Sequence, residues 1–297
     1  MDRYLLRYFL AVIDQGTFSK AAAACHVSQP TLSVGIAKLE QALGKPLFHR
    51  TSRRIELTPA GATLLPHARR IEAEFARAER RVRGAAAARV VRLGLVTTLP
   101  PRWIEGYLGR LRAYAPEERV EIVEGRKSEL TERLGRGRID AALTVLRGDE
   151  ERPTHRPLVT EGYSLALSVR HRLAGRHAID AEELFEEPMI VRHNCELLSE
   201  TSRFFTARGV RPFFPARTAS EERALAYVRN GLGITIMPNG FEAEGVARVR
   251  LAGFDFVRHI GLLFGSHVEP GGLLARPALR LLEETITAAA KDHSPNG

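Results

Sequence analysis

Arg192, His193, Cys195 and Glu196 put a cation, an imidazole, a thiol and a carboxylate within five consecutive positions. Such residues could hold a metal ion or form an activated nucleophile, yet neighbours on one strand end or loop rarely converge on a single atom, and no CxxC or Cys/His ligand spacing accompanies them. No metal site, cofactor or catalytic residue is expected. Redox sensing is an alternative that these residues leave open: an exposed Cys195 thiol beside Arg192 and His193 would have a lowered pKa. The sequence holds 2 cysteines, and Cys25 is far from Cys195, so the body has no second thiol to resolve a sulfenic acid and no disulfide framework is expected. Taken alone, the body could be a solute-binding protein or an enzyme, but a phosphate loop, a GxSxG elbow and a paired-carboxylate motif are missing, which opposes an enzyme, and no signal peptide is evident, which opposes an exported solute carrier.

A second set of side chains suits nucleic acid. Ser28 is placed to cap a helix running from about Gln29 to Leu43, with Pro30 in its first turn, where a missing donor costs nothing, and Gly44 at its end. Leu32, Ile36 and Leu39 form its buried stripe, leaving Gln29, Thr31, Ser33 and Lys38 to face outward, where they could meet base edges and phosphates. A first helix carries Leu5, Phe9, Val12 and Ile13 and ends near Gly16. A second, capped by Thr17, offers a small-residue face of Phe18, Ala21, Ala22 and Cys25. Thr17, Ser19, Ser28 and Pro30 complete the polar surface around the reading helix. The stretch KPLFHRTSRRIELT then alternates as a short hairpin would, with Arg50, Arg53 and Arg54 at its tip forming a basic wing.

Charge follows the same division. The chain has a formal net charge of +9, with 14 Lys and Arg against 7 Asp and Glu in residues 1–88 and 30 against 28 in the remainder. A basic lobe on a nearly balanced body implies a polyanion partner for the lobe alone. The Arg bias runs through the whole chain and carries no functional weight. The apolar N-terminal stretch is interrupted by Arg7 and Asp14 and has no cleavage site, and no window reaches the length of a membrane span, so a cytoplasmic protein without membrane contact is expected.

Between lobe and body, Leu64, Ala68, Ile71, Phe75, Ala78 and Val82 recur at alternating spacings of four and three, a coiled-coil seam expected to pair two chains. Pro66, one turn inside, would bend this helix or mark a late start, and Gly84 with the following alanines supplies a hinge. Pairing lets two reading helices engage an inverted-repeat operator in double-stranded DNA. In the body, a strand at VVRLGLV is followed by a helix carrying Trp103, Tyr107, Leu108 and Leu111, a strand at 120–124, a helix at 127–134 and a strand at 141–145. A second unit begins near Tyr163, with strands at SLALSV and Met189 to Arg192, helices near 199–208 and 220–230, and the strand GLGITIMP. HIGLLF and a helix at 277–290 close the chain. The alternation predicts an α/β body with a largely parallel sheet, in which ligands bind outside the carboxyl ends of strands.

FSKAAAACHVSQPTLS, then IAKLEQALGKPLFHR and LTPAG, resembles the winged helix-turn-helix of LysR-type bacterial transcriptional regulators. EGYSLALSVRHRLAG and VRNGLGITIMP are similar to marks of that family's effector domain, itself similar in fold to periplasmic solute-binding proteins. The resemblance implies an α+β multidomain chain. A winged helix-turn-helix would occupy residues 1–60 and a dimerising linker helix residues 61–88. Residues 89–297 would form the regulatory domain, with subdomain I at about 89–161 and 265–292 and subdomain II at about 162–264. It also implies a cleft lined by Thr97, Thr98, Lys127, Ser128, Arg192, His193, Asn194, Cys195, Thr218 and Ser220, whose hydroxyls, helix N-termini and cations suit a small anionic organic effector such as a carboxylate. Self-association as a dimer or tetramer follows, with RNA polymerase a further candidate partner. Three positions depart from the family pattern. Cys25 replaces a usual leucine, and Lys127 stands where a small hydroxyl residue is common. Gly35 sits inside the reading helix, at a cost of about 1 kcal/mol and of one side chain toward DNA.

Overall fold

The computed structural model describes residues 2–49, 55–83, 90–146 and 154–291. The chain divides into two compact units, one holding the N-terminal helices and hairpin, the other most of the remaining chain.

In the N-terminal unit, α1 (Arg3–Gln15) ends at Gly16, whose φ of 71° lets the chain turn out of the helix. Helix α2 (Phe18–Ala24) is capped by the Thr17 hydroxyl, which accepts from the Lys20 amide at 3.2 Å. Helix α3 (Gln29–Leu43) begins as its sequence predicts, with the Ser28 hydroxyl accepting from the Thr31 amide at 3.2 Å and Gly44 terminating it at φ 64°. Between α2 and α3, His26 takes φ 56°, an uncommon conformation for a residue with a side chain and the pivot of the tight turn. Strands β1 (Phe48–His49) and β2 (Glu56–Leu57) pair antiparallel as the base of the hairpin. Arg50, Arg53 and Arg54, expected at its tip, lie outside the described residues, as does the side chain of Val82.

Helix α4 (Pro59–Arg83) runs through Pro66, which therefore does not mark its start. Thr58 fixes that start, accepting from the Gly61 amide at 3.1 Å while donating to the Pro46 carbonyl at 2.7 Å. The first half of α4 packs into the core of its own unit. Ala68 is fully buried there, and Leu64 and Ile71 pack against the cluster of Leu5, Phe9, Leu32 and Leu39. Arg3 holds this arrangement from α1, pairing with Glu72 at 2.9 Å and lying 4.5 Å from the centre of the Phe75 ring.

The body opens with β3 (Val91–Val96), α5 (Pro101–Tyr114), β4 (Val120–Gly125), α6 (Lys127–Gly135) and β5 (Ala141–Leu146). It continues through β6 (His155–Ser168), β7 (Ala178–Ile179), β8 (Ile190–Arg192), α7 (Leu198–Ala207), β9 (Ala216–Thr218), α8 (Glu221–Arg229), β10 (Thr235–Pro238), β11 (Val246–Leu251), β12 (Val257–Phe264), α9 (Pro270–Leu274) and α10 (Pro277–Lys291). An eight-stranded sheet runs β4-β3-β5-β12-β6-β11-β7, with β10 also on β6, and β8 and β9 form a separate parallel pair.

This sheet corrects the expectation of a largely parallel one. β4, β3 and β5 are parallel, but β12 is antiparallel to both β5 and β6, and β10 and β11 are antiparallel to β6. The cause is the length of β6, which starts at His155 rather than near Tyr163. Its first half pairs with β12 and its second with β10 and β11, so one continuous strand crosses from subdomain I into subdomain II. Trp103, Tyr107, Leu93 and Leu143 are buried in subdomain I, and Phe204, Phe205 and Phe254 pack edge to face in subdomain II.

Candidate DNA interface and effector site

On α3 the side chains of Leu32, Ile36 and Leu39 are buried, and Gln29, Pro30, Thr31 and Lys38 are exposed, with Ser33 partly so. Thr17, Ser19 and Ser28 are exposed beside them. Two of these hydroxyls are already engaged, since the Ser28 and Thr31 oxygens lie 2.8 Å apart while Ser28 also caps the helix. Val34, which the polar pattern passes over, stands 55% exposed on the same helix and offers an apolar surface of the sort that meets a thymine methyl group.

Gly35 does not belong to that outer face. It is buried, and a Cβ placed on it would lie 2.5 Å from Cδ2 and 2.9 Å from Cε2 of Tyr8. The glycine therefore lets α1 approach α3, and the loss of a side chain toward DNA expected from the sequence does not occur.

In the body, Thr98 follows β3 and is almost wholly buried. Its hydroxyl donates to Oε1 of Glu196, which the sequence pattern had considered only as a metal or nucleophile partner. Arg258, on β12, donates from Nη1 to the same Glu196 oxygen and to the Thr98 carbonyl, both at 2.9 Å. Its Nε donates to Glu161 of β6 at 2.8 Å, and the second oxygen of Glu161 accepts from the Gly240 amide at 2.7 Å. A side chain at 240 would meet that oxygen at 2.8 Å and the rings of Pro100 and Trp103 at 2.9 Å, so this junction has room only for glycine. The Tyr163 hydroxyl reaches the other Glu196 oxygen at 3.4 Å. Burial and the Glu196 carboxylate push the Tyr163 phenol far up, so it remains a donor. Glu196 is thus a carboxylate held by a hydroxyl, a guanidinium and a phenol drawn from both subdomains. No spacing rule joins Thr98, Glu161, Tyr163, Glu196 and Arg258, because the sheet rather than the local sequence brings them together.

Arg192, expected as a cation for an effector, is committed elsewhere. Its side chain is 2% exposed, with Nη1 on Glu221 at 2.6 Å and Nε on the Ile236 carbonyl at 2.9 Å. The remaining nitrogen, Nη2, donates to Cys195 Sγ at 3.3 Å. The expected lowering of the Cys195 pKa is not what this setting produces. Burial pushes the thiol up, and Arg192, whose charge is shared with Glu221, opposes that only in part.

The remaining expected cleft residues have mixed surroundings. Asn194 Nδ2 donates to the Ala219 carbonyl at 3.1 Å, the Thr218 hydroxyl accepts from the Ser220 amide at 3.0 Å, and the Ser220 hydroxyl caps α8 through the Arg223 amide at 3.2 Å. His193, Thr97 and Ser128 are exposed, while Lys127 opens α6 half-buried. Among the described residues, no cluster of three or more His, Cys, Asp and Glu could hold a metal, and no helix is long and apolar enough to cross a membrane.

A helix-turn-helix with a hairpin base, joined by a long helix to a two-lobed α/β domain, defines a DNA-binding regulator that carries a sensor domain. The chain belongs to the LysR family of such regulators: residues 4–62 match the bacterial regulatory helix-turn-helix protein, lysR family, and residues 84–286 the LysR substrate binding domain. It is 34% identical over 270 residues to a probable hydrogen peroxide-inducible genes activator of Mycobacterium avium, covering 88% of this chain and 87% of that protein. A full-length OxyR variant of Pseudomonas aeruginosa, 24% identical, shares the fold with a TM-score of 0.61 over 100% of this chain and 99% of its own. A Corynebacterium glutamicum OxyR mutant with hydrogen peroxide bound is 25% identical, with a TM-score of 0.53 over 100% and 99% of the two chains.

Proposed function

We propose that this LysR-family regulator responds to peroxide through Cys195 and binds an inverted-repeat operator as a pair of chains. The observation that carries the reading is the contact between Cys195 Sγ and Arg192 Nη2 at 3.3 Å, one residue from the carboxylate that ties Thr98 to Arg258. The names of the Mycobacterium avium and Corynebacterium glutamicum relatives support it.

In the reaction the Cys195 sulfur attacks one peroxide oxygen. An S–O bond forms as the O–O bond breaks, the sulfur is oxidised to a sulfenic acid, and the other oxygen leaves as water carrying the thiol proton. Arg192 stabilises the thiolate that attacks, since a guanidinium donor favours charge on sulfur. The sulfenic acid adds a hydrogen-bond donor and acceptor one residue from Glu196, and that carboxylate is the group placed to respond. Its release from Thr98 and Arg258 would loosen the junction of the two subdomains and alter how paired reading helices engage DNA.

A small carboxylate effector is the second reading. Thr98, Arg258 and Tyr163 already form an anion seat, and such an effector would have to displace Glu196 from it. The two readings separate in a gel-shift and footprint experiment on the promoter beside the protein's own gene. Hydrogen peroxide should change the protected region, and Cys195→Ser should abolish that change while retaining binding. A footprint that ignores peroxide but responds to organic acids would sink the peroxide reading.

A further inference from the structure

A cavity of about 660 Å³ lies within subdomain II, between α7 and strands β8 to β10, with Cys195 and Arg192 in its wall. Met189, Leu198, Phe205, Val210, Phe214 and Ile236 make most of its surface apolar. Hydrogen peroxide occupies little more than the space of two water molecules, on the order of 60 Å³, whereas cavities of roughly 300–1,000 Å³ with apolar walls and few polar groups hold organic molecules. Two sulfurs line this wall, the Met189 thioether and the Cys195 thiol, and of the two only the thiol ionises to a strong nucleophile, with a guanidinium donor on it.

We infer that the cavity binds an organic hydroperoxide by its apolar body and presents the terminal oxygen to Cys195, making such hydroperoxides, rather than hydrogen peroxide, the preferred oxidants. The inference rests on the peroxide reading and names its substrate class. The sulfur attacks the terminal oxygen, the S–O bond forms and the O–O bond breaks, and the alkoxide leaves as an alcohol after taking the thiol proton. Cys195 becomes a sulfenic acid and the hydroperoxide is reduced to the alcohol. Because the half-buried thiol is pushed up and its partner Arg192 is shared with Glu221, the thiolate fraction is small, and rate must come from holding the oxidant in place. A bound apolar body supplies that, which a freely diffusing small peroxide cannot. The apolar wall also favours such an oxidant by removing its hydrocarbon surface from water.

The experiment measures Cys195 oxidation in the full chain by dimedone labelling and mass spectrometry, with cumene hydroperoxide and hydrogen peroxide as oxidants. Cumene hydroperoxide should react at least about tenfold faster and saturate, as binding before reaction requires. Ser202→Trp and Thr206→Trp, both on the exposed side of α7 and lining the cavity, should erase that preference while leaving the hydrogen peroxide rate within about twofold, which also reports an intact site. The unreactive product 2-phenyl-2-propanol should raise the melting temperature of the unaltered chain and slow only the cumene hydroperoxide reaction. Equal rates for the two oxidants, or a preference unchanged in both tryptophan variants, would overturn the inference while leaving peroxide sensing intact. Oxidation of Cys195 by neither oxidant would overturn both.

Discussion

Gly35 shows how one residue can carry a packing requirement that helix statistics miss. Glycine inside a helix costs about 1 kcal/mol relative to alanine, so Gly35→Ala should stabilise α3 if nothing faced it. The Tyr8 ring does face it, 2.5 Å from where the new methyl would sit, and that ring is itself held edge-on to Tyr4 with centroids 5.8 Å apart. Overpacking of this kind costs about 1–3 kcal/mol, so a net loss of about 1–2 kcal/mol is expected in denaturant unfolding of the N-terminal unit. Gly35→Ala combined with Tyr8→Ala should be less destabilised than the two single changes add up to, because the clash is gone; strict additivity would show that the two positions do not press on each other. Cys195 carries the residue-scale prediction about pH. Only the thiolate attacks, and burial holds the thiol protonated well above neutrality. Its oxidation rate should therefore climb about tenfold per pH unit across the neutral range, without levelling until past the ordinary thiol range of roughly 8–9. A rate that is flat from pH 6 upward would mean that the Arg192 contact outweighs burial.

Helix α4 carries an apolar stripe whose two halves have different surroundings, which a heptad pattern cannot tell apart. Leu64, Ala68 and Ile71 were expected at a seam between two chains, but they pack on α1 and the core of their own unit. Phe75 remains 44% exposed and Ala78 exposed, on a face that also presents His67, Arg70 and Glu74. If two chains pair through α4, its second half is the part that is free to do so. Phe75→Glu is expected to shift the full chain toward monomer in sedimentation velocity, with little change in the melting temperature of the N-terminal unit. Ala68→Glu buries an unpaired carboxylate and should instead unfold that unit. A dimer that survives Phe75→Glu would place the pairing surface elsewhere. The same contrast explains what was legible in the sequence. Caps, turns and stripes are local, so Ser28, Pro30, Gly44 and the span of α3 could be read directly. The continuous β6 could not, because the strand through 155–162 alternates too weakly to announce itself, and its partners in β10 and β12 are distant in sequence. Glu196 was missed as the centre of the buried network for that reason, since Thr98, Tyr163 and Arg258 approach it only once the sheet has formed.

Across the whole body, two subdomains share one sheet and one part-buried carboxylate, Glu196. β6 provides a continuous backbone link, so a change in their relation has to act on side chains at the junction, and the Glu196 contacts with Thr98, Tyr163 and Arg258 are polar ties there, beside Arg258 on the Thr98 carbonyl and the more exposed pair of Arg102 and Glu242. Breaking a buried ion pair outright costs about 3–5 kcal/mol, but Arg258 would keep Glu161, and Glu196 remains one-fifth exposed, with a side chain at 20%. Glu196→Gln keeps the shape and loses the charge, so a smaller loss of about 1–2 kcal/mol is expected in thermal unfolding. If oxidation at Cys195 works by dislodging Glu196, this variant should give, without any oxidant, the footprint that the unaltered protein gives only after peroxide. Glu196→Gln combined with Cys195→Ser should keep that footprint, because the tie is cut downstream of the thiol. Were Glu196→Gln to retain the reduced footprint and still respond to peroxide, the signal would have to leave Cys195 by another route. Arg192 and Glu221 would be the next candidates, because Sγ touches that buried pair directly.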